Sequence, residues 1–165
     1  MSLQQIKLAP TKLVPNSSFP LLLYKGGLGP APNADAIEAT FKRNGWQPQW
    51  RFGMFSQAHY HSTTHEALGV YGGSATCRFG ASDDSSDATA GERHTIEAGD
   101  VLVIPAGMAH QALESRGLQM VGAYPTNAPA KWDMCYGGEQ VRGDIPLPKD
   151  PLGRGELEQV WNGGT

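Results

Sequence analysis

Four residues of this chain carry metal-ligand side chains at telling spacings: His59 and His61 with Tyr60 between them, then Glu66, and far downstream His110. Imidazole nitrogens with a carboxylate form a mixed N and O donor set suited to a divalent first-row metal. Two histidines one residue apart point the same way only on extended chain, because strand side chains alternate between faces. A strand over 52–61 is therefore expected, with His59 and His61 sharing a face with Phe55 and Gln57 while Met54, Ala58 and Tyr60 face away. Burying two neutral imidazoles without partners costs free energy. A metal at one ring nitrogen and a hydrogen bond at the other remove that cost. Taken alone, the His-x-His pair is more readily two surface histidines on a wetted sheet face.

Glu66 shifts that balance. It opens the next strand, after a turn over 62–65, and an antiparallel hairpin sets the start of its second strand beside the end of its first. The carboxylate then reaches the point where the imidazoles converge; otherwise it is a solvated charge at a strand edge. His110 follows Pro105-Ala106-Gly107, a tight turn fit for a strand corner. His65 lies next to Glu66, so alternation turns it off the shared face and leaves it a supporting or pocket-rim position. His94 reads as an ordinary strand or loop histidine.

The elements that must hold these residues are mostly short strands. Extended segments are expected over 21–24, 66–71, 75–79, 94–97, 101–104, 111–114 and 119–124, each bounded by turn residues. One helix is expected over 35–43, capped by Asn33 or Asp35 and ended by Gly45, with Ile37 and Phe41 on one face. Trp46 and Trp50 flank an expected turn at Pro48. The segment 80–91 is acidic and small, and reads as a solvated hairpin loop whose aspartates serve solubility; their spacing does not suit a calcium loop. Residues 126–165, rich in proline, read as a tail packed on the core or on a partner subunit. With 21 glycines, 12 prolines and 18% charged residues, the composition favours an all-β sandwich or barrel over a helical bundle.

The chain has 165 residues, the size of one domain with a real core. A net charge of −3 gives no reason to expect nucleic acid or an anionic membrane as partner. The longest apolar runs are far too short to span a bilayer, and no secretory signal is evident at the N-terminus. Cys77 and Cys135 stand far apart in no metal-type spacing and read as reduced thiols. A cytoplasmic location is the default expectation.

The frame around the histidines resembles the two-block signature of the cupin family. The first block runs Gly53, five residues, His59-x-His61, four residues, Glu66, six residues, Gly73. The second runs Gly99, five residues, Pro105-x-Gly107, two residues, His110. Nine fixed positions stand in order and in register. A tenth departs: an asparagine usual after three further residues is Glu114 here, which touches the local turn and not the ligands. The runs HYHSTTHEALGV, GDVLVIPAGMAH and GAYP, Trp132-Asp133, the early NGW and the late LPKDP resemble the YjlB-type branch of bacterial cupins, over nearly the whole chain.

The resemblance implies a double-stranded β-helix, the small jelly-roll barrel of cupins, with one short helix near the N-terminus. One domain is expected over 1–165, its barrel at about 46–125 and its tail at 126–165. The family's ligands carry over as His59, His61, Glu66 and His110, for one divalent ion of Fe, Mn, Ni, Co or Zn. Phe55, Gln57, His65, Met108 and Tyr124 are the expected pocket or supporting residues, and Trp132 is a further large residue nearby. The implied function is a mononuclear metal centre acting on a small organic molecule, of oxygenase, isomerase or lyase type. The alternative is a module that binds a metal or metabolite without turnover. Cupins of this size commonly pair through their sheets, so a homodimer is expected. No substrate follows from the resemblance.

Overall fold

The computed structural model describes every residue except Met1, Ala130, Arg142, Gly164 and Thr165. Among the described residues, seven strands and two α-helices follow one another. Strands β1 (Ser2–Ile6) and β2 (Leu21–Lys25) come first, then helix α1 (Ala34–Arg43) and strand β3 (Trp46–Phe52). Next are β4 (Glu66–Phe79), β5 (Glu92–Glu97), β6 (Val101–Ile104), β7 (His110–Pro125) and helix α2 (Glu156–Gly163). All pairings are antiparallel, in the order β1-β2-β6-β4-β7-β3, with β5 on the far half of β4.

Strand alternation sorts the side chains into two cores. On β4 and β7, Leu68, Val70 and Met120 enter one apolar cluster, while Ala67, Val121 and Ala123 enter the other. On β2 and β6, Leu21, Leu23, Leu102 and Ile104 join the first, and Leu22, Tyr24, Val101 and Val103 the second. Because both faces are covered, β6 is buried at all four positions and reads as a plain apolar run. The second core is closed by Ile37 and Phe41 of α1 and by Leu157 and Trp161 of α2. Glu66 and Tyr124 share the parity of Leu68 and Met120, so both point to the first core's side of the sheet.

Helix α1 matches its expected segment: Asn33 caps it, its side-chain oxygen accepting from Ala36 N–H at 2.8 Å, and Gly45 follows it with φ of +84°. Elsewhere the expected elements are redrawn. The segments 66–71 and 75–79 are a single strand, bent across Gly72-Gly73 by shifts of register. Gly73 has φ of +68°, and a Cβ there would meet Gly117 O at 2.2 Å, so the bend requires glycine. The segments 111–114 and 119–124 are likewise one strand, β7. Pro48 is not in a turn but inside β3, at the end of the sheet order and beside a bulge, where its missing N–H is tolerated.

Two further segments are redrawn, one read as a packed tail and one as a solvated loop. The tail contains α2, whose Trp161 is 1% exposed, stacks on Phe19 at 4.8 Å and donates to Pro20 O. The acidic loop is structural rather than merely soluble. Asp87 is buried and accepts from Thr11 Oγ1 at 3.0 Å and from Ser82 N–H and hydroxyl at 2.8 Å each. Asp83 accepts from Ala58 N–H at 2.8 Å and Gln111 Nε2 at 3.0 Å, which anchors the backbone next to His59.

Candidate metal centre

His59 and His61 do not stand on a long strand. Strand β3 ends at Phe52, and the chain loops through 53–58 before two isolated bridges catch it, His59 with His110 and Tyr60 with Cys135. Backbone bonds fix it there: His110 N–H to His59 O at 2.9 Å, and Gly107 N–H to His61 O at 2.8 Å. Gly107 has φ of +89°, and a Cβ there would press on Asn16 O and Val141, so this second anchor also needs glycine. Local extension suffices for the alternation. The two imidazoles face one way, and Tyr60 faces a small core of Val14, Ala109 and Cys135.

Glu66 arrives as the first residue of β4 and His110 as the first of β7. All four side chains are buried. One ring nitrogen from each of His59, His61 and His110 lies within 4.8 Å of the others, a group that could hold a metal ion. Glu66 joins its edge: Oε2 is 3.3 Å from His61 Nε2, and Oε1 is 3.2 Å from His110 Nε2.

The donor set fits a metal on its hydrogen bonds. Each imidazole makes one bond from Nδ1 to a backbone carbonyl: His59 to Gln57 O at 2.9 Å, His61 to Asp133 O at 2.5 Å, His110 to Met108 O at 3.1 Å. A carbonyl only accepts, so Nδ1 carries the proton and Nε2 presents its lone pair. Among the described residues, the buried Nε2 atoms of His61 and His110 make no hydrogen bond, although each has a Glu66 oxygen nearby. Buried nitrogens with lone pairs turned to one point are costly unless something accepts them there.

Charge couples the carboxylate to the histidines. Burial pushes the Glu66 carboxyl up, but His61 and His110 beside it pull it well below the usual carboxylate range. Burial pulls His61 down, yet Glu66 and the Asp133 carbonyl raise it more, and its net shift is upward. His59 goes the other way, to about 3, through burial and the neighbouring His110, and stays neutral.

Two groups hold the carboxylate and the histidines in turn. The Tyr124 hydroxyl donates to Glu66 Oε2 at 2.8 Å and accepts from Trp50 Nε1 at 2.9 Å. The Asp133 side chain accepts from Ser62 N–H at 2.9 Å and from the Ser62 hydroxyl, which ties the loop holding His61 to the loop after it. Neither Trp50 nor Asp133 stands out in sequence as a site residue. Trp50 reads as a turn flank, and the Asp133 carbonyl has no side-chain signature at all.

A cavity of about 340 Å³ opens over the histidines. Of the expected pocket residues, Phe55 and Tyr124 line it, as does Trp132. Gln57 contributes its carbonyl to His59, while its side chain lines an adjoining cavity shared with Tyr136. Met108 is packed in the first core and supports His110 only through its carbonyl. His65 is not on the rim: its Nδ1 accepts from Ala106 N–H at 2.9 Å, and its ring meets Trp161 edge-on at 4.9 Å, behind the sheet. Glu114 lies exposed on β7, paired with Arg116 at 3.1 Å.

Comparison with known proteins agrees with this frame. The family model described as Cupin matches residues 53–145. A Bacillus subtilis (strain 168) protein, Uncharacterized protein YjlB, is 35% identical over 160 residues, covering 90% of each chain. Among solved structures, a mutant of Bacillus subtilis oxalate decarboxylase OxdC aligns with a TM-score of 0.38 at 17% identity, over 75% of this chain and 29% of that one. The protein BH2720 of Bacillus halodurans aligns with a TM-score of 0.39 at 20% identity, over 68% of this chain and 92% of that one. At such scores neither structure bears on reaction or ligand. Matched by the family model from Gly53 onward and by a relative along nine-tenths of its length, this chain belongs to the cupin family.

Proposed function

We propose that His59, His61, Glu66 and His110 bind one divalent transition metal, of Fe, Mn, Ni, Co or Zn, and that the site acts on a small organic molecule in the cavity above. The observation that carries this reading is the set of three Nδ1-to-carbonyl bonds, which leaves the Nε2 lone pairs converging beside a buried carboxylate. Such an ion supplies Lewis acidity and a fixed point for orienting an oxygen donor of the substrate, and with iron the activation of dioxygen. The chain supplies the rest. Carbonyls of Gln57, Met108 and Asp133 set the imidazole orientations, and Tyr124 sets that of Glu66. Phe55, Tyr124 and Trp132 give the cavity over the donor set an aromatic lining. Glu66 serves as ligand or, when detached, as the base that takes a substrate proton.

One observation favours a second reading, a metal-dependent binding module without turnover. Among the described residues lining the cavity, no acid or base beyond the donor set has a free proton position; the Tyr124 hydroxyl is spent on Glu66, and burial and that carboxylate push its pKa up. Metal analysis of protein purified without a His-tag, followed by aerobic and anaerobic turnover screens with the metal found, separates the two. Bound metal with turnover supports the enzyme, and bound metal without turnover supports the module. The same proposal includes a homodimer in the cytoplasm, because β1 and β3 end the sheet order and strand edges need cover. Light scattering during size exclusion tests the dimer. No helix among the described residues is long and apolar enough to cross a membrane.

A further inference from the structure

The polar groups on the cavity wall are already committed. Trp50 Nε1 donates to Tyr124, and the Tyr124 hydroxyl donates to Glu66. Trp132 Nε1 donates to Gln49 Oε1 at 3.1 Å. Arg51 is the one lysine or arginine among the described lining residues, and its guanidinium is held by α1, at 2.7 Å from Asp35 and at 2.7 and 2.9 Å from Glu38. Two carboxylates neutralise that charge away from the metal donors.

What remains available is apolar. Phe55 lies 5.6 Å from the His59 ring and Trp132 lies 5.4 Å from the His61 ring, so each histidine of the pair has an aromatic ring against it. Trp132 is itself stacked on Tyr124 at 5.5 Å. Phe52 and Phe55 carry this apolar lining outward to solvent, with 60% and 50% of their surface exposed. A second carboxylate or a phosphate on the ligand would be desolvated against these rings with no free cation or donor among the described lining residues to meet it, which is strongly unfavourable.

We infer that the cavity selects a flat, ring-containing, apolar ligand that presents one oxygen donor pair at its inner end and carries no second anionic group. The oxygen-pair part rests on the metal-centre proposal; the apolar slot lined by Phe55 and Trp132 does not. A ring held there gains apolar burial and aromatic contact, the usual source of affinity in such a cavity.

Calorimetric titrations test the two parts separately. Metal-free protein is titrated with 2-naphthol. The expected result is saturable binding of one molecule per chain, weakened at least about ten-fold by Trp132→Ala and by Phe55→Ala and unchanged by Leu113→Ala, an exposed apolar site outside the cavity lining. Phe55 is half exposed, so its variant keeps the test open if Trp132→Ala folds poorly. Zinc-loaded protein is then titrated with tropolone, a flat ring with one oxygen pair and one charge, and with oxalate, which has two carboxylates. Tropolone is expected to bind at least about ten-fold tighter. The inference is overturned if 2-naphthol does not bind, if both slot variants bind it like wild type, or if oxalate equals tropolone. Failure of zinc itself to bind overturns the metal-centre proposal and the oxygen-pair part with it, while the 2-naphthol result still decides the slot.

Discussion

The Tyr124 hydroxyl and the Glu66 carboxylate are joined across the two central strands by a 2.8 Å hydrogen bond, both buried. The register that pairs Ala67 with Ala123 sets them opposite each other. Glu66 is thereby divided: Oε1 faces His110, while Oε2 is shared by His61 and Tyr124. The tyrosine ring also meets the His61 ring edge-on at 5.7 Å, while its hydroxyl aims Glu66.

Replacing Tyr124 with Phe removes that aim while keeping the ring stacked on Trp132. Supporting partners of metal ligands are typically worth about 10- to 100-fold in affinity. Tyr124→Phe is expected to fold and to weaken divalent-metal binding within that range, read by competition with a chromophoric chelator. Unchanged affinity would remove Tyr124 from the account.

Gly122 lies under the Trp50 indole on the strand that carries Tyr124. A Cβ at Gly122 would come within 2.1 Å of the Trp50 ring. The indole must swing away in Gly122→Ala, and the Trp50–Tyr124 hydrogen bond goes with it. Overpacking of this kind costs about 1–3 kcal/mol. Thermal unfolding should show that loss, and the Tyr124 hydroxyl should lose its partner in the same variant. A melting temperature equal to wild type would show that the contact relaxes freely.

Asp87 gives a pH dependence whose sign is fixed. Burial acts to raise its carboxyl, but hydrogen bonds from Ser82 and Thr11 outweigh burial, and its pKa falls below the ordinary 3.8. A carboxyl depressed in the folded state stabilises above its unfolded pKa and loses that contribution as pH falls through the folded value. Asp87→Asn should therefore unfold more easily than wild type at neutral pH, and the gap should narrow below about pH 3.8. Denaturant midpoints across that range check it; a gap independent of pH would mean that Asp87 acts without its charge.

The donor set was legible in sequence because its spacing encodes backbone geometry. His59 and His61 face together on locally extended chain even though the strand expected over 52–61 is a loop caught by two bridges. Alternation needs only extension at those residues, not a ladder. The core strands were legible from their apolar runs, but their continuity was not: Gly72-Gly73 reads as a terminator and acts as a bend inside β4. Helix α2 was hidden among prolines and glycines, although Leu157 and Trp161 stand four apart, the spacing of one helical face. His65 leaves the shared face as alternation requires, but its neighbours give no sign that Trp161 returns from the end of the chain to meet it there instead of at the pocket rim. Contacts made by carbonyls, such as Asp133 with His61, leave no trace in residue type.

The central claim is that four side chains hold one divalent metal. Its most direct test is metal stoichiometry by mass spectrometry on tag-free protein after equilibration with Mn(II), Fe(II), Co(II), Ni(II) or Zn(II), beside His110→Ala. The account predicts one ion per chain in wild type, with a metal-dependent rise in melting temperature worth about 2.7 kcal/mol at 100-fold excess over Kd, and loss of both in the variant. No saturable binding of any of these ions, or equal binding by His110→Ala, would contradict it.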